Sequence, residues 1–595
     1  MRSFLVNLLV LAAITVVTSA SAAEPVREAP LALAPFENGI GKLIPNIQTK
    51  TIDGKAFALA DYAKKHKAIV VAMTSTSCPL CKKYLPTLAE LEKAYAEQGI
   101  GFVFVNSLTI AKADEMKEAA AKVKGLYLHD ATGAISAQLG ATSTTQVFLL
   151  DTQRTTIYRG AVDDQYGLGY SLDAPKKMFL KPAIDSHLAG KTPDVPATSA
   201  PGCVIELPKE LKQEAVAVTY HNSISRLVQS HCIECHRKGG VGPFSLETRD
   251  DILAHKGIIK KVITNGTMPP WGAVKAKPDD HSPFINDRSL SEATRKELIA
   301  WMNAGGPEGD KADAPIARTF PKDWAIGKPD LVLQIPKPIA VKATGTMPYQ
   351  KVVVETNFAE DKYIQAIEIR PTAKQVVHHV LVFPLGPGTT VPRGAEATGH
   401  VAAYVPGNNR QIYPDGYAKK LMKGGRLLFQ IHYTPNGEAT EDQTEIAFIF
   451  AKEKPHTEIR VFGLVQPKIL IPPGDDNYKN NASLSVPIDV TICAFAPHMH
   501  VRGKACKYEI VSKDKKTRRV LLDIPQYDFN WQIYYQLAEP VVLKGGETLE
   551  FTAWFDNSDK NPANPDSKAT VKWGPQTSDE MLIGYVEYYL GSTKK

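Results

Sequence analysis

The chain has 595 residues, 44% of them hydrophobic and 22% charged, with a formal net charge of +7 and a pI of about 8.7. That length exceeds a single hydrophobic core and, at about 100–200 residues per domain, predicts three to five units. Lys and Arg are interspersed with Asp and Glu instead of gathering into basic stripes, which argues against nucleic acid or a charged membrane surface as the partner.

The N-terminus carries Arg2, an apolar run from Phe4 to Val17 and the small residues Ser19 to Ala23. This is the layout of a cleaved export signal, placed at residues 1–22. The run is short for a bilayer and no later stretch approaches about 18 uninterrupted apolar residues, so the expectation is an exported protein, periplasmic or secreted, with no transmembrane segment. Seven cysteines fall as Cys78 and Cys81, Cys203, Cys232 and Cys235, then Cys493 and Cys506. An odd count leaves at least one thiol without an intrachain disulfide partner. Export permits disulfides, and Cys493 with Cys506 is the candidate pair.

From Ala68 an apolar strand runs into Cys78-Pro79-Leu80-Cys81, then a helix patterned by Leu85, Leu88, Leu91 and Tyr95, then a second apolar strand. A thiol at a helix N-terminus is stabilised as thiolate by the dipole and free N–H groups, which makes Cys78 the nucleophile and Cys81 the resolving thiol. The stretch resembles the thioredoxin/redoxin family, and the α/β unit is placed at residues 36–190. The resemblance implies a cis proline facing the thiols, yet Thr144-Thr145 stands there, with Thr145 in the proline's place. Three readings of the pair stay open: an inert disulfide or docking module, thiol redox, and soft-metal binding.

Residues 191–214 are Pro- and Ala-rich without periodicity and read as a linker. Then comes Cys232-Ile233-Glu234-Cys235-His236, the attachment sequence of c-type heme, with thioethers from both cysteines and His236 beneath the iron. Met268, in a proline-stiffened loop, is the sixth-ligand candidate and suits electron transfer; His255 and His281 are its rivals. The span 215–312 resembles small, all-α cytochrome c domains.

Beyond it the pattern changes to short β-rich runs separated by Pro, Gly, Asn and Asp, read as two all-β antiparallel sandwiches, jelly-roll-like, at 313–465 and 466–595. His378 and His379 are adjacent in VVHHVLVF, and His432 lies late in RLLFQIHY. Neighbouring strand residues point to opposite faces, so this pair shares a metal at a strand end or a bulge, or through different ring nitrogens. His498 and His500, two apart, lie on one face and need a third ligand, for which Met581 offers a soft thioether. His400 and His456 match no motif and are expected at the surface.

In this order the motifs resemble the copper type II, ascorbate-dependent monooxygenases, the peptidylglycine and dopamine hydroxylase group. The resemblance implies two copper ions on separate sandwiches across a solvent cleft. His378, His379 and His432 would hold the electron-transfer copper, and His498, His500 and Met581 the copper that meets dioxygen (O2). Where that group fixes a substrate carboxylate with Arg, Asn and Tyr, this chain has Ala496, Ile583 and Tyr585, which disfavours a C-terminal glycine peptide. The expectation is a multidomain oxidoreductase with two coppers and one covalently attached heme c. It would hydroxylate a C–H bond of a small-molecule or peptide substrate, fed by the heme unit and an exported donor, an ascorbate-like reductant or a redox protein. The alternative is a non-enzymatic copper-handling or electron-transfer protein.

Overall fold

The computed structural model describes residues 29–167, 169–205, 207, 217–275, 282–389 and 399–591. The expected export signal at 1–22 and the rival heme ligand His281 lie outside the described residues.

The run AIVVAMT has no polar alternation, so both of its faces need cover, and Ala68–Thr74 is buried throughout. It sits at the centre of a five-stranded sheet ordered Leu126–His129, Ile100–Asn106, Ala68–Thr74, Val147–Asp151, Thr156–Gly160. The first three strands run parallel, and Val147–Asp151 runs antiparallel to Ala68–Thr74. Helix Pro79–Tyr95 follows, with Cys78 as its N-cap and Pro79 in the first turn, where a missing N–H has no partner to lose. It lays Tyr84, Leu85, Leu88 and Tyr95 on the sheet.

Helices Ser225–His231, Arg249–Ala254, Lys256–Thr264 and Glu292–Asn303 close around Leu227, Ile259, Ile263, Leu298, Trp301 and Met302. This helical unit touches both of its neighbours. Arg226 donates to Thr155 Oγ1 and to Gln153 O, each at 3.1 Å, and Asn286 Nδ2 donates to Tyr534 O at 2.6 Å.

In the C-terminal half each β unit is two sheets packed face to face around alternate residues. In the first, the sheet ordered Gln350–Glu355, Arg426–Tyr433, Val377–Leu385, Ala402–Tyr404 covers Ile364, Ile367, Ile446 and Phe448. In the second, Tyr478–Ser485, Thr548–Phe555, Gly503–Val511 and Arg518–Ile524 cover Ile492, Phe495, Leu582 and Val586. The units are not separate, however. Strand Tyr417–Leu421 runs parallel to Thr457–Val465, and that strand pairs in turn with Ile583–Leu590 of the last unit, so one sheet from each merges into a nine-stranded sheet. Beside this seam Lys419 Nζ and the Glu587 carboxylate pair at 2.8 Å with side chains only 4% and 5% exposed.

Cys493 and Cys506 lie in different sheets. Cys506 faces the core of the last unit, while Cys493 packs with Tyr413, Ile459 and Tyr589. Both thiols are free, so this candidate pair is not bridged. Among the described residues no helix is long and apolar enough to cross a membrane.

Candidate metal centre

Two adjacent histidines can aim at one point only where the strand is irregular, and the register supplies that irregularity. Val377 pairs with Tyr433 and His379 with His432, so His378 is the extra residue of a bulge. His378 Nδ1 and His379 Nδ1 lie 3.0 Å apart. One ligand atom each from His378, His379 and His432 lies within 4.8 Å of the others, a grouping that could hold one metal ion. His378 Nε2, His379 Nε2 and His432 Nδ1 are buried with no hydrogen-bond partner. Burial holds the rings neutral, with lone pairs available: His378 is lowered to about 4, His432 to about 3, and His379 well below the usual imidazole range.

The second group is placed by strand parity. Val490–His498 pairs with Ile583–Leu590 so that Ala496 meets Tyr585 and His498 meets Ile583, all on one face. Leu582 and Val586, of opposite parity, fill the core. Met581, Ile583 and Tyr585 pack with Val461, Val465, Ala496 and Trp573. Just before strand Ile583–Leu590, the fully buried Glu580 accepts from the N–H groups of His500 at 2.9 Å, Arg502 at 2.7 Å and Met581 at 3.2 Å. It thereby ties the HMH segment to the methionine. Burial pushes its carboxyl up to about 8, against the pull of the His500 and Arg502 N–H groups and the Arg502 charge. His498 Nδ1 faces Gln532 Oε1 at 2.6 Å and His500 Nδ1 faces Asp579 O at 3.1 Å, partners of the kind that orient ligating imidazoles. His500 Nε2 is buried without a partner.

The two groups do not face each other across a solvent cleft. The ring centroids of His379 and His498 are 6.0 Å apart, little more than the 5.2 Å from His379 to His432. Tyr349 stacks on His432 at 4.6 Å and lies 6.4 Å from His500. Phe529 stacks on His378 at 4.7 Å and lies 6.0 Å from both His432 and His500. Five histidines thus form one cluster with aromatic walls, which corrects the expectation of two separated sites. Tyr349, Phe529, Gln532 and Glu580 escaped the sequence reading; only Glu580, an acid set before the ligand candidate Met581, left a signal there.

His400 also departs from expectation. It is 3% exposed, lies edge-on to Tyr585 at 4.8 Å, and has no partner on either ring nitrogen. The preceding Gly399, at φ +82°, makes this close approach possible, because a Cβ there would stand 2.2 Å from Val461 O. His456 is exposed.

In the helical unit His236 Nδ1 is 3.1 Å from Phe244 O, an arrangement that fixes the ring and leaves Nε2 for an iron. Gly242 has no room for a side chain, since a Cβ would lie 2.8 Å from His236 Nδ1. With Cys232 and Cys235 free beside it, the donor set fits a covalent heme. His255 is stacked on Phe244 at 4.0 Å, with Nδ1 2.8 Å from Asp251 O. Met268 is half-buried in the turn after Lys256–Thr264. The heme-attachment loop abuts the first β unit. Arg288 Nη2 donates to Gly407 O at 3.3 Å, and a Cβ on Gly407 would stand 3.2 Å from Cys235 Sγ. Gly407 lies in the turn after Ala402–Tyr404, the strand that pairs Tyr404 with Val380, the residue following His379.

In the N-terminal unit Cys81 Sγ donates to Thr144 O at 3.0 Å and Thr144 Oγ1 to Cys78 Sγ at 3.3 Å. The Cys81 thiol and these neighbours lower Cys78 to about 4, while the adjacent Cys78 and burial push Cys81 far up.

Three stretches match known families: residues 40–169 Redoxin, 221–302 the cbb3-type cytochrome C oxidase subunit III, and 456–595 the copper type II ascorbate-dependent monooxygenase C-terminal domain. The DBH-like monooxygenase protein 2 of Mus musculus is 23% identical over 287 residues, covering 43% of this chain and 42% of the mouse protein. The chain therefore spans less than half the length of that curated relative. Among solved structures, a hypothetical protein of Sinorhizobium meliloti is 24% identical over 31% of this chain and 100% of its own, with a TM-score of 0.26. A secreted disulfide oxidoreductase of Mycobacterium tuberculosis is 18% identical over 24% of this chain and 95% of its own, with a TM-score of 0.19. The three matched stretches are similar to a redoxin, a cytochrome and the C-terminal domain of copper monooxygenases, and the last two families imply heme and copper as cofactors.

Proposed function

We propose that this chain is an exported dicopper monooxygenase that hydroxylates a C–H bond with dioxygen, its electrons fed by the fused heme unit. The observation that carries this reading is the convergence of His378, His379, His432, His498 and His500, several with buried, unpartnered nitrogens, in the part of the fold that includes the monooxygenase-type match. In this reading His378, His379 and His432 hold one copper, and His498, His500 and Met581 the other. Copper bound there supplies one-electron redox and the reduction of dioxygen. Gln532 and the Asp579 carbonyl keep His498 and His500 in fixed tautomers, and Glu580 locks the backbone that carries His500 and Met581. Tyr349 and Phe529 wall the cluster from water.

In this reading the substrate lies against the face shared with His498. Ala496, Ile583, Val461, Val465 and Trp573 offer no guanidinium and no amide to a carboxylate, and Tyr585 and His400 are the polar groups beside them. This favours an apolar compound bearing a neutral hydrogen-bonding group. Metal analysis of the full chain is expected to give two coppers and one iron. Met581→Ala is expected to keep the iron and the imidazole-bound copper and to lose oxygen uptake and hydroxylated product over a panel of small C–H substrates. Wild-type product yield from that variant would overturn the assignment.

Heme feeding is supported by contact as well as by fusion, since Cys235 sits against the Gly407 turn, one strand from His379. Tethering gives the donor a high effective concentration. Stopped-flow mixing of protein with reduced heme and oxidised copper is expected to show heme oxidation at least as fast as turnover. Heme that stays reduced over many turnovers would exclude the role.

A further inference from the structure

Cys203, the cysteine outside the three pairs, falls in a Pro-rich stretch read as a linker, yet that stretch is not free. Residues 201–205 lie antiparallel to 142–145, the turn that faces the CxxC pair. Ser143 bridges Val204, Thr144 N–H donates to Cys203 O at 3.0 Å, and Ile205 N–H donates to Thr142 O at 3.0 Å. Ser143 Oγ donates to Pro201 O at 2.7 Å, and Thr145, in the place expected for a proline, also donates its hydroxyl to Pro201 O. Gly202, at φ +133°, is required there, because a Cβ would stand 2.6 Å from Ser143 Oγ. This is how an extended peptide adds itself to an exposed edge, with main-chain bonds for affinity and one side chain delivered to a pocket. The side chain delivered is a thiol. Cys203 N–H donates to Thr144 Oγ1 at 3.1 Å, and that same hydroxyl donates to Cys78 Sγ at 3.3 Å, so one threonine side chain bridges the Cys203 backbone and the Cys78 sulfur. Cys78 and Cys81 are 2% and 5% exposed, whereas Cys203 is exposed.

We propose that Cys203 is a third redox thiol, the port through which an external disulfide reaches the buried Cys78–Cys81 pair. The exchange balances in three displacements. The Cys203 thiolate attacks the external disulfide, forming a mixed disulfide and releasing one thiol. The Cys78 thiolate then attacks Cys203 Sγ, forming a Cys78–Cys203 bond and releasing the second thiol. Finally Cys81 gives up its proton and attacks Cys78 Sγ, and Cys203 leaves and regains a proton. The external disulfide has gained two electrons and two protons, and the buried pair has lost them. The low-lying thiolate of Cys78 and the protonated Cys81 held by Thr144 O suit the middle state, in which Cys78 is bonded to Cys203 while Cys81 waits.

The test uses the reduced full chain, oxidised glutathione as probe, acid quenching and peptide mapping by mass. In wild type, glutathione is expected on Cys203 first and the Cys78–Cys81 disulfide last. Cys81→Ser is expected to accumulate the Cys78–Cys203 disulfide, and Cys203→Ser to slow oxidation of the pair by at least about tenfold, the heme absorbance of both showing an intact chain. Glutathione on Cys78 with Cys203 free in Cys81→Ser, or a wild-type oxidation rate in Cys203→Ser, would overturn the relay.

Discussion

Replacing His379 with alanine is expected to lower copper below two per chain and to cut dioxygen-dependent product formation by well over about 100-fold. The scale follows from its position. Even partners that only orient a ligand cost about 10–100-fold when removed, and His379 is 1% exposed with rings of His378, His432 and His498 at 5.2, 5.2 and 6.0 Å. Because one ring stands between both groups, its loss should disturb the second copper as well as the first. Gln532→Ala, which removes the oxygen 2.6 Å from His498 Nδ1, is the graded contrast and should fall within the 10–100-fold range. Copper content by mass spectrometry, with product yield and heme absorbance on the same samples, checks both. Two tightly held coppers in His379→Ala would refute the shared cluster.

The largest effect on stability is expected from Glu587→Ala. That change leaves the Lys419 ammonium 4% exposed with no carboxylate, and takes away one of the two acceptors of the Tyr413 hydroxyl, Glu587 at 3.0 Å, leaving Gln411 Oε1 at 3.1 Å. Breaking a buried pair from one side costs about 3–5 kcal/mol, because the surviving charge stays desolvated. For a unit of this size that is a fall in Tm on the order of 10 °C. Lys419→Met with Glu587→Leu should recover most of it, since no charge is then stranded. Calorimetry of the two variants decides the point, and a single variant as stable as wild type would show that water reaches the pair.

What the sequence made legible was local. A period of two put Met581, Ile583 and Tyr585 on one side of a strand and Leu582 and Val586 on the other. Adjacency of His378 and His379 pointed to a bulge or a strand end, and the register supplies a bulge. The unbroken run AIVVAMT announced a strand covered on both faces. What stayed hidden depends on register between distant segments. Nothing in Tyr417–Leu421 marks it for parallel pairing with Thr457–Val465, and without that pairing the two histidine groups read as separate centres. His400 looked like a surface residue because its neighbours Val461 and Tyr585 are remote in the chain. Cys203 looked like a spare because proline and alanine around it imitate a linker, whereas its backbone hydrogen bonds go to the turn at 142–145.

The parallel seam of Tyr417–Leu421 against Thr457–Val465 has a mechanical consequence. Halves riveted by a shared ladder cannot swing apart like a clam. The spacing between the two histidine groups, 6.0 Å from the His379 ring to the His498 ring, is then a constant of the scaffold, and in the proposed reading the electron's path between coppers held there would stay equally short whether or not anything is bound.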